Sequence, residues 1–283
     1  MKDDIILIDK PVGWTSFDVV AKIRGKIRAE YLAKGEKPTK KQLRVGHAGT
    51  LDPFATGLLI ILIGGACKKA EEFLKLDKTY EFTAKLGEVS TTGDPEGVIT
   101  PYLAISDEQQ ASSVDKDSTK VSDAVIPDST AVLGRSESSV DYAEISLTDN
   151  DSEPAHEANI LQMSTLTVPT EETVRKALKQ FEGVISQVPP SFSAIKVGGQ
   201  RAYKLAREGK TVEIPARKVL IKQIELIEYN FPYLKCRCDV SSGTYIRTLV
   251  EDIGRLLGTG AYCQQLCRTR IDTYDLKNAQ TVT

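Results

Sequence analysis

The chain has 283 residues, 41% of them hydrophobic and 27% charged, which describes a soluble protein with a real core and room for one large domain or two modest ones. Its start, MKDDIILIDK, is too acidic and too briefly apolar for a signal peptide, and its longest apolar run, Leu58 to Ile63, is too short for a membrane helix, so the cytoplasm is the expected compartment. The net charge of -2 speaks against a nucleic-acid partner only when read as one number, because residues 101–168 hold 13 Asp/Glu against 3 Lys/Arg and leave 34 basic and 26 acidic residues elsewhere, a net of +8. A basic body suits a phosphate backbone, and solubility is the bland alternative.

Taken in chain order, Ile5 to Ile8 reads as a short buried strand. Ser16 is placed to cap a helix with Phe17, Val20, Ile23 and Ile27 on its inner side. The apolar run after Gly57 anchors the loop before it in a core. Tyr80, Phe82, Ala84 and Leu86 alternate with Glu81, Thr83 and Lys85, the pattern of a half-buried strand. Residues 101–168 differ in kind: they hold 12 serines and no sustained period, as in SDEQQASSVDKDSTKVSD. Such a segment buries too little apolar surface to offset the entropy of ordering, and is expected to be a disordered insertion, with Ala143 to Leu147 able to pair transiently as strand. Beyond it Thr170 caps a helix carrying Val174, Ala177, Leu178 and Phe181, closed by Gly183. Leu234, Cys236, Cys238 and Val240 alternate as a strand, and Ile246, Leu249, Val250, Ile253, Leu256 and Leu257 follow as an amphipathic helix that stops at Gly258. Strands and helices mix without a βαβ repeat, so the expected class is α+β, a mixed and mostly antiparallel sheet flanked by helices. The expected organisation is one catalytic unit from residues 1–100 and 169–283, interrupted by the acidic insertion 101–168.

The most informative stretch runs from Gly46 to Gly64, GHAGTLDPFATGLLIILIG. Gly46, Gly49 and Gly57 loosen the backbone around a lone carboxylate, Asp52, and Pro53 biases that residue towards an extended conformation, so the carboxylate is presented from a loop. Alone, such an aspartate is more often a turn-former than a catalyst. Metal signals are weak: Cys236-x-Cys238 and Cys263-x-x-x-Cys267 lack the two-residue spacing of zinc sites, the first pair reads as buried thiols, and only His47 and His156 are available. Gly64–Gly65 and Gly198–Gly199 lack the context of a phosphate loop.

The 19-residue string is similar, nearly position by position, to the catalytic motif of the TruB family of tRNA pseudouridine synthases, and four other blocks match in order. DKPVGWTS at Asp9 to Ser16 resembles the family's N-terminal signature. KTYEFTAKLGEVSTTGDPEG at Lys78 to Gly97 resembles the block with the stacking tyrosine. QVPPSFSAIKVGGQRAYKLAREG at Gln187 to Gly209 and SSGTYIRTLVEDIG at Ser241 to Gly254 resemble two more. The resemblance covers residues 4–100 and 169–272 and implies the pseudouridine synthase fold.

The resemblance also implies a reaction: uridine becomes pseudouridine in the T loop of tRNA, at position 55 in tRNA numbering, by base flipping and a glycosidic rearrangement that needs no cofactor and no metal. Asp52 is then the nucleophile or charge stabiliser, and Arg247 in GTYIR the fixed cation that keeps it ionised and oriented. Tyr80 stacks on the flipped base and its hydroxyl helps remove the C5 proton. Tyr245 and Leu266 line the pocket, His47 touches the RNA, and Lys68 stands near the site. The chain departs from the family with Ser90–Thr91–Thr92 where threonine–aspartate–threonine is usual, so one acidic contact is expected to be missing, and with Phe192 where tyrosine is common. Family members usually continue into a PUA RNA-binding domain; this sequence stops at Thr283, so the basic body is expected to carry the phosphate contacts. The expected partner is the T-stem loop of tRNA, met by a monomer away from any membrane. Two other readings share the blocks: a guide-RNA-dependent pseudouridine synthase, and a non-catalytic tRNA-binding or folding module, which should have lost Asp52 or Arg247.

Overall fold

The computed structural model describes residues 4–103, 167–193, 195–210 and 213–282. The first part of the chain supplies β1 (Asp4–Lys10), α1 (Ser16–Ala33), β2 (Val45–Ala48), β3 (Thr56–Ile63), α2 (Ala70–Leu74), β4 (Lys78–Leu86), β5 (Glu88–Ser90) and β6 (Ile99–Pro101). The second part begins with α3 (Glu171–Lys179), β7 (Gly183–Gln187), β8 (Lys196–Val197), β9 (Gln200–Arg201), α4 (Ala202–Arg207) and β10 (Arg217–Asn230). It ends with β11 (Tyr233–Val240), α5 (Ile246–Leu256), β12 (Ala261–Ile271), β13 (Tyr274–Asp275) and β14 (Gln280–Thr281). Apart from its edges, the acidic segment 101–168, with its expected strand at Ala143 to Leu147, lies outside the described residues.

A ten-stranded sheet organises these pieces in the order β14-β1-β3-β12-β4-β11-β10-β7, with β2 beside β3 and β13 beside β12. Its neighbours are antiparallel except for β1 with β14 and β3 with β12, so the α+β expectation of a mixed, mostly antiparallel sheet holds. Strict alternation made β4 and β11 readable, and Tyr80, Phe82, Ala84, Leu86, Leu234, Cys236, Cys238 and Val240 are all buried. The unbroken apolar run of β3 has a different cause. Leu59, Ile61 and Ile63 face the main core, while Leu58, Ile60 and Leu62 face a second cluster with Phe73 and Ile271. A strand covered on both faces has no polar side to show. Among the described residues no helix is long and apolar enough to cross a membrane.

The structure moves some helix details. Thr15, not Ser16, caps α1: its hydroxyl accepts from the Asp18 amide at 3.1 Å while the Asp18 carboxylate accepts from the Thr15 amide at 2.8 Å. The buried stripe of α1 is Ser16, Val19, Val20, Ile23 and Ile27, and Phe17 falls beyond its edge at 65% exposure. Thr170 does cap α3, but that helix ends at Lys179, and Gly183 opens β7 with a φ of 104°. α5 closes as expected before Gly258, although Leu256 is exposed. The longest strand, β10, escaped the sequence reading because register shifts at Ile221/Gln223 and Leu226/Glu228 interrupt its alternation.

Candidate active site

The loop between β2 and β3 carries Asp52, and the first sequence block, DKPVGWTS, grips it on both sides. Ser16 Oγ accepts from the Leu51 amide at 2.9 Å and donates to the Leu51 carbonyl at 3.2 Å. The Pro53 carbonyl accepts from the Gly13 amide at 2.8 Å and from Lys10 Nζ at 3.2 Å. Lys10 is fully buried and also donates to the carbonyls of Pro11 and Trp14. Burial lowers its pKa to about 8, while the negative charges of Asp52 and Glu96 pull the other way. Behind the loop Gly57 has a φ of 100°, and a Cβ there would overlap the Arg268 backbone, so only glycine lets β3 lie against β12 at this point.

Arg247, on the first turn of α5, lies under the Asp52 carboxylate with 4% of its side chain exposed against 35% for Asp52. Its Nε stands 3.0 Å from Asp52 Oδ2, a close ion pair whose angle falls short of a hydrogen bond. The rest of the guanidinium is committed elsewhere. Nη1 donates to the Thr92 carbonyl at 2.9 Å and to Asp94 Oδ2 at 3.0 Å, and Nη2 donates to the Phe192 carbonyl at 2.8 Å. The guanidinium therefore meets Asp52 through one edge contact, and its own orientation is supplied by Asp94 and two carbonyls. Asp94 is itself buried and its Oδ1 accepts from Thr92 Oγ1 at 2.6 Å. The acid expected to be missing at Ser90–Thr91–Thr92 thus has a counterpart three residues along the same turn. Burial is the largest influence on Asp52 and raises its pKa above the ordinary carboxylate value; Arg247 opposes, Asp94 adds to the rise and Lys10 opposes it.

Two hollows meet at Asp52, Arg247, Thr50 and Ser193. The smaller, of about 270 Å³, is walled by Tyr80, Tyr245, Leu266, Lys78, Arg217 and Arg268. Tyr80 therefore serves both the core and the pocket. Gln187 brackets the Tyr245 backbone, accepting from its amide at 2.8 Å and donating to its carbonyl at 2.9 Å. Arg217, the register partner of Gln187 in the β7–β10 ladder, lies over the Tyr245 ring at 4.7 Å and donates to the Gly243 carbonyl. The larger hollow, of about 850 Å³, is an open cleft with Phe17 on one side and Lys196, Arg201, Lys204 and Arg207 of the β8–β9 hairpin and α4 on the other. Glu96 stands at its rim with its pKa raised, first by burial and then by Asp94 and Asp52.

Of the residues singled out in the sequence, Asp52, Tyr80, Tyr245, Arg247 and Leu266 converge on the smaller hollow. His47 lies on β2 with its ring edge-on to Phe17 at 5.4 Å, beside the cleft rather than in it; burial, then Arg268, lowers its pKa, and Nδ1 is buried with no partner among the described residues. Lys68 is exposed on a 3-10 turn and lines neither hollow. Asp94, Lys10, Gln187, Arg217 and Arg268 were missed. Lys10, Asp94 and Gln187 stood inside quoted blocks, Arg217 and Arg268 outside them, and nothing local marks any of the five as site residues. Arg268 is fully buried opposite Tyr80 in the β4–β12 ladder, with Nε on the Leu58 carbonyl at 2.8 Å and Nη2 on the Gly49 carbonyl at 3.1 Å. A partly buried carboxylate on a rigid loop, paired to a fixed cation beside an aromatic-walled pocket, can act as nucleophile or stabilise developing positive charge.

Residues 37–143 and 137–246 match the TruB family pseudouridylate synthase (N terminal domain) model, and residues 247–283 match the tRNA pseudouridylate synthase B C-terminal domain model. The chain is 37% identical over 268 residues to tRNA pseudouridine synthase B of Parabacteroides distasonis, covering 95% of this chain and 85% of that protein. It is 36% identical over 279 residues to tRNA pseudouridine synthase B of Phocaeicola vulgatus, covering 99% and 90%. Among solved structures, a chain of a Cbf5-Nop10-Gar1 complex shares the fold at a TM-score of 0.57 and 22% identity, over 98% of this chain and 51% of that one. The family models and the identity to these relatives place this chain in the TruB family of pseudouridylate synthases.

Proposed function

We propose that this chain is an isomerase that converts uridine to pseudouridine in tRNA, acting on position 55 of the T loop without a guide RNA. The reaction breaks the N1–C1′ bond and joins C1′ to C5; a proton leaves C5 and N1 gains one, so nothing is oxidised or hydrolysed and no cofactor is called for. The observation that carries the reading is the Asp52–Arg247 ion pair at 3.0 Å, opening on a pocket walled by Tyr80, Tyr245 and Leu266. Asp52 is the reacting carboxylate, and Arg247, steadied by Asp94, holds it ionised. Tyr80 stacks on the flipped base and its hydroxyl helps take the C5 proton. An aromatic face recovers part of the lost base stacking, about 1–3 kcal/mol. His47 touches the RNA at the cleft edge, through Phe17 or beside it. Residues 1–100 and 169–283 form the catalytic unit, 101–168 is an acidic insertion, and the enzyme works as a cytoplasmic monomer.

The test is incubation of the full chain with unmodified tRNA transcript alone, followed by mapping of pseudouridine. A single modified position in the T loop is expected. Asp52→Asn, nearly isosteric, should abolish turnover and keep tRNA binding. Asp52→Asn activity within tenfold of wild type would sink the assignment of Asp52; modification elsewhere would sink the site specificity.

A further inference from the structure

The positive charge of the folded body is not spread evenly. Residues 21–44 hold nine Lys/Arg and two Glu, a net of +7, against +8 for everything outside 101–168. All nine cations, on α1 and on the loop that joins it to β2, are exposed. Three of them converge. Arg24 from the helix and Lys40 and Arg44 from the loop line a hollow of about 480 Å³ floored by Leu43 and Val45. None of these three has an acidic partner within 4 Å among the described residues, and Arg24 is steadied by one donation, Nη2 to the Val45 carbonyl at 3.3 Å. Three converging cations without a counter-ion repel one another unless an anion joins them.

The hollow also has a fixed relation to the catalytic loop. Val45 lines the hollow, and Thr50, five residues on, lines both catalytic hollows. Five residues of extended chain reach at most about 17 Å. The buried strand β2 makes that link rigid, since it is paired along its length with β3.

We propose that Arg24, Lys40 and Arg44 form a phosphodiester-binding site for the substrate RNA, a second anchor outside the catalytic cleft. This rests on the RNA-modifying reading above. The anchor contacts backbone only, so it contributes affinity and register without sequence preference. It gives a role to a cluster of positive charge that lies outside both catalytic hollows, on the approach to Asp52.

The test uses the full chain and an unmodified tRNA transcript. The triple variant Arg24→Gln/Lys40→Gln/Arg44→Gln should weaken Kd at least about tenfold at low salt and flatten the log Kd against log salt plot by about two units, at roughly 0.7–0.9 per lost phosphate contact. Its single-turnover rate at saturating RNA should stay within about twofold of wild type, because chemistry is untouched. Lys40→Glu/Lys41→Glu, which leaves the Arg24 contact intact, should weaken binding as well and serves if the triple variant unfolds early. Unchanged affinity and salt slope in both variants would overturn the anchor, and so would a lost saturated rate with an unchanged slope. A wild-type chain that binds tRNA but forms no pseudouridine would instead sink the activity, with the slope comparison still readable.

Discussion

The catalytic pocket and the basic hollow on α1 handle charge in opposite ways. At the pocket, Asp52 and Asp94 share one buried guanidinium, and behind the loop burial lowers the pKa of Lys10 to about 8. In the hollow, Arg24, Lys40 and Arg44 lie open to solvent with no acidic neighbour within 4 Å among the described residues. Where water is excluded, each charge is set by its few neighbours, so one substitution changes the state of the others. Where water remains, charges are screened and act nearly independently, so salt matters more than any single residue. The proposed roles of the two regions therefore separate chemistry from affinity.

The comparison breaks most visibly at Arg247. Arg247→Lys keeps the charge but cannot reach Asp52, Asp94, Thr92 and Phe192 together, so the single-turnover rate should fall about 100- to 1000-fold with tRNA affinity nearly intact. A lysine variant within fivefold of wild type, on the order of 1 kcal/mol, would show that charge alone suffices.

Asp94→Asn should lower the rate at neutral pH at least about tenfold, because Arg247 loses its buried counter-charge. Its pH profile carries a sharper readout. In its proposed role Asp52 must be ionised, and burial raises its pKa, so the rate should fall as pH drops through a value above that of an ordinary aspartate. Asp94 contributes to that rise by like-charge repulsion; removing it should move the acid limb to lower pH, whereas Arg247→Gln should move it to higher pH. Limbs that stay put, in single-turnover rates measured from acid to neutral pH, would mean the three groups are not coupled.

A smaller effect is expected at Arg217, which walls the pocket and lies over the Tyr245 ring. Arg217→Met should cost about three- to tenfold in kcat/KM in the native background and almost nothing once Tyr245 is already Leu. Equal losses in both backgrounds would show that Arg217 acts on the RNA directly. The smallest effect belongs to the acidic insertion. Replacing residues 105–165 with a short Gly/Ser linker should change saturated turnover less than about twofold while tightening low-salt binding of unrelated RNA, because a local negative charge is removed. Looser or unchanged binding of unrelated RNA would refute that role.

Much of the frame was legible in advance. β4, β11 and α5 follow from strict periodicity, and Asp52 from a string too long to match by accident. What misled was either one residue of helix register, as with Thr15, Ser16 and Phe17, or broken alternation, as in β10. Lys68 was named because the resemblance implies a lysine near the site, and the fold leaves it on an exposed turn that lines neither hollow. Phe192 is a departure from the usual tyrosine that the site tolerates for a plain reason: Arg247 meets its carbonyl, which every residue has.

The sequence by itself determined the family, the candidate carboxylate Asp52, the α+β class and the separation of a basic body from an acidic segment. These are properties of local order, spacing and composition, and they survive without coordinates. Only the tertiary structure decided which acid steadies Arg247, since Asp94 lies 153 residues away in the chain, and that Lys10 holds the Pro53 carbonyl from 43 residues away. Only it separated the nine cations of residues 21–44 into three that converge on a hollow and six that do not. Contacts of that kind join residues with no common periodicity, and a buried ion pair is worth what its surroundings make it, so neither can be read from a string of residue types.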